Sequence, residues 1–126
     1  MKILRIESYD VQLNIRQLPL PEGDIYYTMN LRGTSEGAGA THALIQFQTQ
    51  RDPSFPGYEA GLPGEITLFA WLPFDLFVRW YDILRNESPV SLSYYTNESD
   101  RGVGQLELFT GPEPLGEGLA DKYVTK

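Results

Sequence analysis

The chain has no cysteine, a single histidine (His42) and only three lysines in 126 residues. Without cysteine there are no disulfides, no thiolate nucleophile and no cysteine-ligated zinc or iron–sulfur site. A lone histidine supplies one ligand where a catalytic zinc site takes three from the protein, so no metal or cofactor is expected. No G-x-S-x-G elbow accompanies His42, which leaves serine-hydrolase chemistry without its nucleophile turn.

Positive charge is equally sparse. Lys2, Lys122, Lys126 and seven scattered arginines stand against seventeen Asp and Glu, giving a net charge of -7. Such a chain repels phosphate backbones and anionic headgroups, and no local basic cluster offsets this, so neither nucleic acid nor membrane is an expected partner. No apolar run approaches the roughly 18 residues that span a bilayer. Residues 1–7 lack the apolar core of a signal peptide, and a cytoplasmic location is the default expectation. There is no internal repeat, low-complexity tract or interdomain linker.

What is present suffices for a core. Hydrophobic residues make up 41% of the chain and aromatics 13%, and a domain of this size buries roughly two-thirds of its unfolded surface. Period-2 alternation dominates the patterning. Tyr9, Val11, Leu13 and Ile15 alternate with polar residues, whereas Leu4 and Ile6 are apolar at even positions. A strand cannot change face without an extra residue, which predicts a bulge near Glu7 and Ser8.

A turn over 18–24 leads to a second strand with Ile25, Tyr27, Met29 and Leu31 on one face. A third, over 41–51, places Ala43, Ile45 and Phe47 inward, with Leu44 the outward exception. Three such strands joined by short links form an antiparallel meander.

Residues 51–64 carry three prolines and three glycines without periodicity and read as a loop. The stretch 65–72 is apolar on both faces, with Phe69 and Trp71 opposite Ile66, Leu68, Ala70 and Leu72. Residues 74–86 have helical spacing through Phe77, Trp80, Tyr81 and Leu84, and this helix is expected to cover the Phe69–Trp71 face. Asp75 is a candidate N-cap or first-turn anion, Asp82 and Arg85 a surface pair, and Asn86 with Pro89 a stop. Two further strands, over 90–95 and 103–110, flank a turn at 97–102. The predicted fold is therefore mainly β, bordering on α+β: an antiparallel six-stranded sandwich or partly open barrel with one amphipathic helix between strands 4 and 5. It occupies residues 1–110, and 111–126 form a Gly/Pro/Glu-rich tail.

No constellation announces catalysis. His42 falls on an outward strand face among glutamines. Glu65, Asp75, Asp82, Glu98, Asp100 and Glu107 show no spacing that selects a pair, so a carboxylate-based hydrolase is kept only as an alternative. The 97–100 turn lacks the order of a calcium loop, and 33–39 lacks the lysine and the helix of a phosphate loop.

One surface stands out. Gln12, Asn14, Tyr26, Asn30, Arg32, His42, Gln46 and Gln48 share the outward face of the meander without a lysine, and Phe55 and Tyr58 lie in the adjoining loop. Amides, Tyr and Arg lose less entropy on ordering than lysine and suit protein contact. The expectation is a non-catalytic binding or assembly module that self-associates, or meets another protein, through this face or an edge strand. A small-ligand barrel with 51–64 as lid is the second alternative.

Overall fold

Alternation of small and large apolar residues with polar ones curls the sheet into a closed barrel of seven strands in the order β1-β2-β3-β5-β4-β7-β6. The computed structural model describes residues 1–16, 24–48, 57–97 and 101–111. The strands are β1 (Lys2–Arg16), β2 (Asp24–Glu36), β3 (His42–Gln48), β4 (Gly57–Ala60), β5 (Thr67–Pro73), β6 (Val90–Thr96) and β7 (Gly102–Thr110). Between β5 and β6 lie a 3-10 turn, Phe74–Leu76, and a helix, α1 (Phe77–Asn86). The mainly β class is as expected. The barrel is closed rather than sandwiched, and it has one strand more than the pattern revealed.

That extra strand is β4, inside the stretch read as a loop. Four residues are too few for alternation to be visible in sequence. Its insertion also changes the topology: β4 pairs antiparallel with β5 on the far side, leaving β3 and β5 adjacent and parallel from His42↔Thr67 to Gln48↔Pro73. The remaining strand pairs are antiparallel. The 18–24 turn and Phe55 fall largely or wholly outside the described residues, as does all of the tail except Gly111.

The bulge is where the face change requires it, with the β1–β2 register shifting between Ile6 and Ser8. Opposite Ile6 stands Gly33, where a Cβ would collide with the Arg5 carbonyl oxygen; only glycine permits this approach. The bulge keeps Leu4 and Ile6 facing inward and then returns Tyr9 and Val11 to the same side. The interior is filled: Leu4, Met29, Leu31, Ala43, Ile45, Phe47, Leu68 and Leu92 are fully buried, so the barrel encloses side chains rather than a ligand chamber.

The helix does not lie where the two-faced pattern of β5 suggested. It stoppers one mouth of the barrel. Phe77 stacks on Tyr27 with ring centroids 3.8 Å apart and meets Phe47 edge-on, Trp80 also meets Phe47 edge-on, and Tyr81 meets Tyr9. Phe69 and Trp71 lie on the outer wall instead, half-buried, where Tyr58 of β4 stacks against both. An apolar outer residue was satisfied by a neighbouring strand, not by a helix above it. Asp75 is the acid of the first 3-10 turn, as one of its two expected roles has it, but makes no capping bond to that turn or to α1, while Arg85 pairs with Asp82 at 2.8 Å. The helix ends with extended backbone at Glu87, without a left-handed Asn86.

Past its last pair with β6, β1 runs on beside β2, which is itself paired with β3 from Tyr26 to Arg32, so among the described residues β1 has a strand on one side only there. β1 pairs with β6 only from Lys2 to Ile6 but with β2 as far as Arg16↔Asp24. No helix among the described residues is long and apolar enough to cross a membrane.

Candidate functional site

Two places on the barrel gather polar chemistry, and the sequence pointed to one of them. Register aligns the outward residues of the meander in rows: Asn14, Tyr26 and Gln48; Gln12, Thr28 and Gln46; Asp10, Asn30 and Leu44; Ser8, Arg32 and His42. These side chains largely satisfy each other. Thr28 donates to Asn14 Oδ1 at 2.9 Å, Asn30 Nδ2 to Asp10 Oδ1 at 3.0 Å and Arg32 Nη1 to Asp10 Oδ2 at 3.0 Å. Because the Asn30 nitrogen faces Asp10, its oxygen faces His42 Nε2 at 3.2 Å, which places the ring proton on Nε2. Further along, Gln48 Nε2 and Trp71 Nε1 both donate to Gln46 Oε1, at 2.9 and 3.1 Å. Gln12 and Arg32 are exposed; Asn14, Tyr26, Asn30, His42, Gln46, Gln48 and Tyr58 are half-buried.

The wall's two titrating groups are shifted by identifiable causes. Hydrogen bonds from Arg32 and then Asn30 hold the Asp10 carboxyl below its usual value. Desolvation, reinforced by the nearby Arg32 charge, lowers that of His42, against a smaller opposing pull from Asp10. His42 is thus a neutral hydrogen-bonding member of the net, and no group of three or more potential metal ligands occurs among the described residues.

The second place escaped sequence reasoning. At the mouth opposite α1, Glu59 points inward from β4 with only 2% of its side chain exposed. Lys2 Nζ donates to its Oε1 at 2.8 Å and the Tyr94 hydroxyl to its Oε2 at 2.6 Å. The Tyr94 oxygen in turn accepts from the buried Ala40 N–H at 2.7 Å. Arg101 approaches from the β6–β7 turn, with Nε 3.9 Å from Glu59 Oε1 and Nη1 donating to the Gly61 carbonyl at 3.1 Å. Burial, followed by the bond to Glu59, pushes the Tyr94 hydroxyl well above the ordinary tyrosine range, so it stays a donor. A cavity of about 450 Å³ opens over this cluster.

Two signals could have exposed it. Lys2 shares the even-numbered inward face with Leu4 and Ile6, and Tyr94 shares that of Val90 and Leu92. An inward lysine requires a buried acid nearby. The acid itself was hidden in the four residues of β4. Among the described residues Glu59 is the only carboxylate lining this cavity; a smaller cavity, about 300 Å³, between β1 and the end of α1 is lined by Glu7 and Glu87, of which Glu7 accepts from Thr34. Comparison of the chain with protein-family models, curated proteins and solved structures gives no match.

Proposed function

We propose that the protein is a non-catalytic assembly module that binds a second copy of itself through the edge of β1. The observation carrying this reading is a bare edge joined to an apolar face. From Glu7 to Arg16 no strand among the described residues pairs with the outer edge of β1. On the inward side of β1 and β2 near that edge Leu13, Ile15 and Ile25 are 55%, 76% and 45% exposed. An unpaired strand with apolar residues is a template for strand addition.

The sequence of that edge is complementary to itself. In an antiparallel pairing about a two-fold axis at Leu13, Val11 faces Ile15 and Gln12 faces Asn14. Apolar pairs directly across strands each contribute roughly 0.2–1 kcal/mol. The same pairing extends the lysine-free wall into the partner, so the amide face and the edge belong to one surface.

Size-exclusion chromatography with light scattering tests the reading. The expected result is a dimer mass at micromolar concentration that Leu13→Lys with Ile15→Lys reduces to a monomer, with unchanged far-UV circular dichroism. A parent protein that is monomeric throughout this range rules the reading out.

A further inference from the structure

The mouth cluster leaves cationic donors over after its own bonds are made. Among the described residues Glu59 is the one acid in the lining, and two cations, Lys2 and Arg101, converge on it. Its two oxygens are engaged by Lys2 and Tyr94, and Tyr94 is saturated by Glu59 and Ala40. Arg101 is different. Its guanidinium has five N–H groups; among the described residues one bonds the Gly61 carbonyl, and its approach to Glu59 is a long ion-pair contact. Lys2 has three donors and uses one on Glu59. Both cations remain partly exposed to the cavity, at 44% and 25% of their side chains.

The backbone is committed to holding Arg101 there. Arg101 has a left-handed φ of 60°, uncommon for a residue with a Cβ, and its N–H closes the turn on the Asn97 carbonyl at 2.8 Å. The acceptor loop is constrained as well: Gly61 has a φ of 112°, and a Cβ there would strike the Glu65 carbonyl oxygen. The cavity's volume of about 450 Å³ falls within the range of small-molecule sites. Its walls add apolar surface from Ile66 and the half-exposed ring of Tyr95.

We infer that this mouth binds a small organic anion, a carboxylate or a phosphate ester, between Arg101 and Lys2, with its apolar part against Tyr95. Glu59, bonded to Lys2, orients that cation. In a chain of net charge -7 such a pocket attracts its ligand locally while the remaining surface repels it.

Two-dimensional NMR titration of the full chain with benzoate and, separately, with inorganic phosphate tests the inference. The expected result is saturable millimolar binding, with shifts concentrated at the amides of Lys2, Tyr95, Thr96 and Arg101. Arg101→Gln weakens it by roughly tenfold or more, the loss of one charge-assisted hydrogen bond. Arg79→Gln, on the exposed side of α1 at the other mouth, leaves it unchanged. Saturation by benzoate alone assigns carboxylates; saturation by phosphate alone assigns phosphate esters. Tyr95→Ala weakens benzoate more than phosphate. Absence of saturation with both probes, or equal loss in the Arg79 and Arg101 variants, overturns the inference. So does full binding by an Arg101→Gln protein whose urea midpoint matches that of the parent.

Discussion

Where β5 runs out, the barrel is stoppered by rings; where β1 begins, it is stoppered by charge. At the first mouth Phe77, Trp80 and Tyr81 descend onto Tyr27, Phe47 and Tyr9 through stacked and edge-on ring contacts. At the second, a buried carboxylate is held by an ammonium and a phenol. The two solutions differ in what they demand. Ring packing tolerates modest displacement because dispersion is spread over many weak contacts. The buried ionic cluster works only when every partner is in place, since a stranded charge costs several kcal/mol. The aromatic mouth is a closure; the ionic one also leaves chemistry facing outward.

Substitutions sharpen this contrast. Phe77→Ala, which removes the ring between Tyr27 and Phe47, should cost about 3–5 kcal/mol in urea denaturation. Glu59→Ala should cost about 3 kcal/mol, the lower end for a broken buried pair because Lys2 keeps partial access to water. Lys2→Met combined with Glu59→Gln should cost less than the sum of the two single changes, with a coupling of about 1–3 kcal/mol in the double-mutant cycle. Strict additivity there would mean that the ionic mouth is no unit.

Tyr94→Phe should cost about 1–3 kcal/mol by stranding the Ala40 N–H. The phenol also has a pH signature. Its folded pKa is raised, so the folded state holds the proton more tightly and the stability it brings is intact below about pH 10 and lost as pH rises above that. Tyr94→Phe should flatten this alkaline loss.

The outer wall gives smaller effects. His42 has a lowered folded pKa, so the unfolded chain binds its proton first and stability falls as pH drops below about 6.5. His42→Gln should remove that slope from a pH series of urea midpoints. Asp10 behaves alike in a lower window, losing its contribution as pH falls below about 3.9. Smallest of all, Arg85→Ala should change stability by under about 0.5 kcal/mol, because its partner Asp82 is equally solvated.

The contrast between the mouths also marks how far the sequence could be read. Long alternations were legible: the meander, its inward Ala43, Ile45 and Phe47, the bulge at Ile6 and Ser8, and the helix through Phe77 and Leu84 all follow from periodicity alone. The outward amide wall followed from the same rows. Short or context-dependent features were not. β4 has too few residues to show a period, and with it Glu59 was lost. Phe69 and Trp71 look like a second buried face because nothing local records that Tyr58 stacks on them from the next strand. The placement of α1 at a mouth rather than over a face depends on barrel closure, a property of the whole sheet that no window of the chain contains.

Closure itself is uneven. Among the described residues most neighbouring strands share four or more residue pairs, whereas β4 and β7 share Gly57↔Val103 and Tyr58↔Gly102, extended by the Glu59 N–H bond to the Arg101 carbonyl. The shortest ladder parts most readily, so the β4 and β7 amides should exchange with deuterium sooner than those of β2 and β3. Glu59 lies directly beside that joint, so each parting would loosen the ionic mouth while the ring-packed mouth stays shut.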